Sequence, residues 1–401
     1  MHNTRKIHDD IYWLGANDRR IEKFENTYTV PNGMSYNNYL ILDEMTCLID
    51  GIDTAVSNQF LENLLYVLED RNLDFMIVNH MEPDHCAMIP ELVKMYPGMQ
   101  IVATAQAFKM MNQFYHLDLQ GRTIVVKEND QLALGKHTLQ FFMAPMVHWP
   151  EVMVTYDTSD KVLFSADIFG SYGAMSGNIF ADEIDWQHTF KDECRRYYAC
   201  IVGKYGMQAS AVLKKLEKLE IGMICPLHAH IWRKDFDQIL DLYKHWTSYT
   251  PEEKQVVIYY GSVYNNTANA ADILAVKLAE KGITNIQVYD TSKSDLSYML
   301  ASAFKAHTLV FAAATYNADV FDSIQALLTE IQHHNLSNRK IGLMENGSWA
   351  PMANSMMEKQ VSTWKNTEML EPKVRIVSSV DEVSLKQIDE LADAIVNSVK
   401  E

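Results

Sequence analysis

Beyond residue 250 the chain alternates short apolar segments with amphipathic helical segments five times over, and few architectures accept that pattern. Strands are predicted at 255–260, 286–289, 308–312, 340–344 and 374–377. Helices are predicted at 270–281, stopped by Gly282, and at 296–305, 320–333, 352–359 and 385–398. Regular alternation of this kind predicts an α/β fold with a doubly wound, five-stranded parallel sheet.

The first 250 residues read differently. Residues 38–50 form two short strands around a polar turn, and 60–71 have helical apolar spacing. Residues 73–79 (LDFMIVN) are a buried strand that runs into a polar cluster. A helix at 91–96 stops at Pro97-Gly98, and strands follow at 101–104, 140–143, 152–156 and 161–165. The change of pattern predicts two domains, 1–250 and 251–401, with no internal repeat.

Composition narrows the partners. Lys plus Arg total 35 and Asp plus Glu 52, a formal net charge of −17. So acidic a chain excludes nucleic acid or an anionic membrane as the main partner. The five cysteines (47, 86, 194, 200 and 225) form no C-x-x-C pair, so zinc-ribbon, thioredoxin and rubredoxin motifs are absent. The start of the chain is polar, and no apolar run reaches the ~20 residues that span a bilayer. A cytoplasmic protein is the expectation.

The densest chemistry is His80-Met81-Glu82-Pro83-Asp84-His85, directly after the strand at 73–79. Two imidazoles and two carboxylates stand within six residues, and Pro83 predicts that they fan out from a loop. His148, Asp167 and His228 each stand where a strand runs out. A lone residue at such a place is an ordinary turn residue, so the inference rests on the set.

That set resembles the metallo-β-lactamase fold, whose zinc hydrolases carry H-x-H-x-D-H followed by separated His, Asp and His. Glu82 stands where those hydrolases have the second His. Four imidazoles with three carboxylates suit iron or manganese better than zinc. The pattern H-x-E-x-D-H, with gaps of 62 (86–147), 18 (149–166) and 60 (168–227) residues to the next ligands, resembles the flavodiiron proteins. The resemblance extends over the whole chain and implies an N-terminal metallo-β-lactamase-like αββα sandwich and a C-terminal flavodoxin-like domain. It implies two irons per chain, one on His80, Glu82 and His148, the other on Asp84, His85 and His228, with Asp167 bridging. His85 is not a ligand in every member. His230 falls outside the pattern and is expected to be structural or to support a ligand; Trp149 is expected in the pocket wall or the core.

The second domain offers a phosphate loop. Ser262-Val263-Tyr264-Asn265-Asn266-Thr267 joins its first strand to its first helix, where hydroxyls, amides and free backbone N–H groups favour an anion. Walker A and G-x-G-x-x-G motifs are both absent. The loop resembles the flavodoxin phosphate loop, S/T-x-T/S-x-x-T, with Tyr264 departing at the third place, where a main-chain contact is expected. Ligands of doubly wound sheets lie beyond the strand carboxyl ends; the loops there, Ala314-Thr315-Tyr316-Asn317 and Asn346-Gly347-Ser348-Trp349, resemble the isoalloxazine loops of flavodoxins, and the resemblance implies FMN with its ring beside them. Tyr316 and Trp349 are the candidates to stack on it.

The resemblance implies an oxidoreductase that reduces O2 to water, NO to N2O, or both. It implies a head-to-tail homodimer, or a dimer of dimers, and a separate electron donor such as rubredoxin. A metallo-β-lactamase-type hydrolase fused to a flavodoxin-like module is the alternative, and Glu82 discriminates against it. A redox carrier with a degenerate metal site is a third class, which the complete ligand set disfavours.

Overall fold

A computed structural model describes residues 2–400. The chain divides into two compact units: residues up to Tyr198 together with Met207–Leu240, and Ala199–Gly206 together with residues from Asp241 on. Among the described residues no helix is long and apolar enough to cross a membrane.

The first unit is built on two facing sheets. One has seven strands in the order Arg5–Lys6, Ile11–Trp13, Tyr39–Leu42, Thr46–Ile49, Phe75–Ile77, Gln100–Ala103 and Thr123–Val125. The other has five, in the order Gln131–Ala133, Thr138–Met143, Met153–Asp157, Val162–Phe164 and Met223–Cys225. Alternate residues of both sheets share one core: Tyr39 and Ile41, Cys47 and Ile49 from the first, Leu139 and Phe141, Val162 and Phe164 from the second. This period of two is what a sandwich requires. Thr46–Ile49, Phe75–Ile77 and Gln100–Ala103 run parallel, as do Val162–Phe164 and Met223–Cys225. Parallel neighbours end on the same side, so the loops that follow them converge.

The helix at Ser57–Leu68 buries Phe60, Leu64, Val67 and Leu68, the stripe visible in the sequence. The helix Ala105–Tyr115 was not expected, because it buries only Ala107 and Met111. Its start is set instead by Thr104, whose hydroxyl accepts the Ala107 N–H at 3.1 Å.

The second unit has its five main strands in the order 286–290, 253–261, 306–316, 340–346, 374–376, all parallel. Numbered along the chain this is 2-1-3-4-5, the flavodoxin-like arrangement, with its crevice beside the first and third strands. Val256, Ile258, Val310, Ala312 and Met344 pack on one face against the helices Asn266–Glu280 and Glu382–Lys400. The strand Ala306–Tyr316 outruns the expected 308–312 and pairs antiparallel with Asp319–Val320. Asn317 and Ala318 make that turn with φ 51° and 60°, the left-handed conformation that tight hairpins need.

Arg339 is buried in this unit and donates to the carbonyls of Ala303, Phe304, Ser337, Asn338 and Tyr249. Five carbonyls share it, so the arginine gathers chain segments that would otherwise bury unpaired oxygens. Arg339→Met should destabilise this unit by about 3–5 kcal/mol. Urea unfolding followed by fluorescence would measure it, and a change under about 1 kcal/mol would contradict that role.

Candidate functional sites

The six-residue cluster is held by a buried aspartate. The Asp50 carboxylate accepts Asn79 N–H at 2.7 Å, Asn79 Nδ2 at 2.8 Å and His80 N–H at 3.3 Å. Burial raises its pKa to about 6, with the Asn79 hydrogen bonds opposing. Glu82 follows in extended backbone, and Pro83 then begins a short helix, Pro83–Cys86. The expected all-loop presentation is corrected here. At the first helical position proline lacks only an N–H that would find no partner, so it starts the turn rather than preventing it. Asp84 and His85 therefore project from a helical turn, His80 and Glu82 from the loop before it.

All seven ligand-type residues come together, and all are buried. They form two groups with donor atoms close enough to share a metal ion: His80, Glu82, His148 and Asp167, and Asp84, His85 and His228. In the first, His148 Nε2 lies 2.9 Å from Glu82 Oε2 and 3.2 Å from Asp167 Oδ2. His80 Nε2 lies 3.3 Å from each of the same two oxygens. In the second, His85 Nε2 lies 3.2 Å from Asp84 Oδ2 and from Asp167 Oδ1. His228 Nε2 lies 3.4 and 3.6 Å from those two oxygens. Asp167 thus turns Oδ2 to one group and Oδ1 to the other.

These separations fit metal ligation. Nitrogen and oxygen ligands about 2.0–2.2 Å from an ion stand roughly 3.0–3.5 Å from one another. The atoms are also unsatisfied as hydrogen-bonding groups: both oxygens of Asp84 and Asp167, both ring nitrogens of His85, and Nε2 of His228 have no hydrogen-bond partner. Buried polar atoms left so are rare unless something else binds them. Charge tells the same story. Burial pushes Asp84 up to about 8, with Glu82 and Asp167 adding repulsion against the attraction of His85. Burial opposes a charge on His148 too, but Asp167 and Glu82 outweigh it and raise the imidazole to about 9. Without a cation the acids and imidazoles compete for protons; with one, all can take their ligand forms.

Two imidazoles are oriented from behind. His80 Nδ1 lies 2.8 Å from Glu151 Oε1, and His228 Nδ1 lies 2.8 Å from the Ser35 carbonyl. Each bond leaves Nε2 facing inward with its lone pair. Phe24, Tyr36 and Tyr197 surround the His228 ring at 5.6, 5.7 and 5.4 Å between centroids. Trp149 stands perpendicular to His80 at 5.4 Å, as a wall residue. His230 packs edge-on against Phe190 at 4.4 Å, outside both donor groups.

Several residues here went unread in the sequence. Glu151 carries no motif, although it follows His148 by three positions. Glu25 sits in a turn with φ 49° and turns its carboxyl toward Glu82; burial of that carboxyl and the Glu82 charge push it up to about 8.

The second unit holds a cavity of about 600 Å³ at the carboxyl ends of its strands. Ser262, Val263, Tyr264, Asn266 and Thr267 line it from the first loop, Ala314, Thr315, Tyr316 and Asn317 from the second, and Asn346, Gly347, Ser348 and Trp349 from the third. Asn265 is not among the lining residues; it precedes the helix Asn266–Glu280 with φ 68°. That helix opens its N-terminus toward the loop, and the buried Ser262 hydroxyl has no partner, so an anion would find donors there. The Thr315 hydroxyl accepts Met352 and Ala353 N–H at 3.0 and 3.2 Å, tying the second loop to the third. Ala318, Ala350, Met352 and Ser378 also line the cavity. Ser378 follows the fifth strand, a carboxyl end that the sequence reading left out. Trp349 and Tyr264 are exposed at the rim, and Tyr316 is partly so.

Comparison with known proteins agrees with both units. A family model described as ODP family beta lactamase matches residues 34–229. The anaerobic nitric oxide reductase flavorubredoxin of Vibrio vulnificus is 31% identical over 351 residues, covering 86% of this chain and 70% of that protein. Its Escherichia coli counterpart is 31% identical over 349 residues, covering 86% and 72%. Among solved structures, rubredoxin oxygen:oxidoreductase from Desulfovibrio gigas superposes with a TM-score of 0.92 at 26% identity, covering 99% of this chain and 98% of that one. A flavo di-iron protein variant from Thermotoga maritima gives 0.89 at 26% identity over the same shares.

Proposed function

The chain belongs to the flavodiiron protein family, and from that premise we propose that it reduces O2 to water, NO to N2O, or both, at a non-haem diiron site refilled by FMN. The observation that carries the reading is Asp167, whose two oxygens face two separate sets of buried donors. His80, Glu82 and His148 would hold one iron, Asp84, His85 and His228 the other, with Asp167 between them. The phosphate of FMN would take the loop 262–267, and its ring system the loops at 314–317 and 346–349.

Two ferrous ions and one reduced FMN would together supply four electrons, which with four protons convert O2 to two waters, while two electrons and two protons convert two NO to N2O and one water. The chain's own residues set the conditions for this. Glu151 and the Ser35 carbonyl keep His80 and His228 in the tautomer that offers Nε2 inward. The rings of Phe24, Tyr36 and Tyr197 keep bulk water from His228. Glu82, Asp84 and Asp167 would offset three of the four charges of a diferrous pair, which would ease its oxidation.

The relatives' names support both substrates: two name nitric oxide reduction, one oxygen reduction. A rubredoxin-type donor belongs to the proposal, supported by relatives whose names carry rubredoxin. So do a cytoplasmic location and a head-to-tail homodimer, or a dimer of dimers, that brings one subunit's FMN to the other's irons.

Anaerobic purification with metal and flavin analysis, followed by O2 and NO electrode assays with a rubredoxin donor chain, tests the proposal. The expected result is about two irons and one FMN per chain, with consumption of at least one gas. An iron-free, zinc-loaded protein that hydrolyses thioesters would overturn it. Sedimentation showing an active monomer would remove the dimer.

A further inference from the structure

The two donor groups are alike in composition but unlike in what stands behind them. In the first group, His80 donates from Nδ1 to a carboxylate, Glu151, at 2.8 Å. In the second, His228 donates from Nδ1 to a neutral carbonyl, that of Ser35, at 2.8 Å. His85, also in the second, has a buried Nδ1 with no partner. The side chain of Glu151 is fully buried, so solvent does not dilute its charge. Its Oε1 also accepts the Met81 N–H at 2.8 Å, which fixes the carboxylate against the ring. Asp50 acts on His85 through space, but its hydrogen bonds go to Asn79 and the His80 backbone, so it does not accept a hydrogen bond from an imidazole as Glu151 does.

A hydrogen bond to an ionised acceptor is roughly twice as strong as one to a neutral carbonyl. It draws the Nδ1 proton away from the ring and raises electron density at Nε2. A metal on that nitrogen is bound more tightly, and its oxidised form is favoured. Among the described contacts neither imidazole of the second group has such a hydrogen bond to a carboxylate from Nδ1.

We propose that Glu151 is a positioning residue that makes the two metal positions unequal. The position of His80, Glu82 and His148 holds its ion more tightly and gives up an electron more readily than the position of Asp84, His85 and His228. This rests on the diiron reading above, but it concerns order and affinity rather than the gas reduced.

The test uses the full chain with FMN bound, stripped of metal by a chelator and titrated anaerobically with Fe²⁺, and in parallel with Co²⁺, whose absorption reports each site. Wild type should load in two resolved steps. Glu151→Gln keeps the volume and an acceptor oxygen but not the charge. Its tighter step should weaken about 10-fold, so that the two steps merge, while FMN content and thermal unfolding stay as in wild type. The EPR-active one-electron-reduced state should reach a smaller maximum population in the variant, because that population grows with the difference between the two ions' potentials. Glu151→Asp should restore part of the separation.

Single-step loading by wild type, or an unchanged tighter step in Glu151→Gln, would overturn the proposal. If the steps behave as expected but neither gas is consumed, the functional reading falls and the role of Glu151 stands. If gas is consumed and Glu151→Gln titrates like wild type, the reverse holds.

Discussion

Asp167→Ala is expected to empty both metal positions at once. The two oxygens of this carboxylate are divided between the groups, Oδ2 facing His80 and His148 and Oδ1 facing His85 and His228. Among the described residues no other carboxylate pairs with imidazoles of both groups. Alanine would remove one ligand from each ion and also a bridging carboxylate that would offset repulsion between two dications. Unit charges about 4 Å apart interact by about 4 kcal/mol at an effective dielectric of ~20, so losing that bridge is not a small perturbation. Iron should fall from about two per chain to near none, gas consumption to the background of the flavin alone, and FMN should remain bound in the other unit. Elemental analysis and flavin absorbance of the same sample would show it. Retention of one iron per chain would mean that Asp167 serves a single ion.

Glu82→His should change which metal is held. The substitution converts H-x-E-x-D-H into the H-x-H-x-D-H of the zinc hydrolases and shifts the set from four imidazoles and three carboxylates to five and two. Softer donors and one charge fewer move the preference from iron toward zinc. The site's negative charge drops next to His80 and His148, which now contact Glu82 Oε2 at 3.3 and 2.9 Å. Grown with both metals present, the variant should carry zinc in place of most of its iron and consume neither O2 nor NO, with FMN content unchanged. A variant that kept iron and turnover would show that the residue at 82 does not select the metal.

The two proposals separate the contributions of two carboxylates that look equivalent in sequence. Glu82 lies inside a motif and would act as a ligand. Glu151 lies outside any motif and would act only through His80. Ranking them needs three-dimensional proximity, because the spacing of 71 residues between His80 and Glu151 carries no pattern.

Legibility along the chain followed periodicity. The second unit was readable in its five main strands, because three of them are apolar runs and all alternate with helical segments, whereas the two-residue strands Asp319–Val320 and Glu368–Met369 went unread. The first unit was readable where an apolar run marks the strand, as at 73–79 and 161–165. Arg5–Lys6, Ile11–Trp13 and Gln131–Ala133 span two or three residues each, too few for a period to show. Pro83 misled for a local reason: proline forbids a helix interior but favours a helix start, and nothing in six residues distinguishes the two.

What the sequence determined by itself was the donor inventory and its order: seven ligand-type residues with three gaps, and three polar loops at strand ends. Those follow from side-chain chemistry and from the rule that loops follow strands. Tertiary structure decided how the seven divide. Parallel pairing of Val162–Phe164 with Met223–Cys225 brings Asp167 and His228 to one end of a sheet, and the facing sheet brings His80 and His85. Only then does one carboxylate stand between two groups, and only then does a glutamate 71 residues away reach the back of one imidazole. Spacing along a chain cannot encode which side of a ring a distant oxygen approaches; packing does.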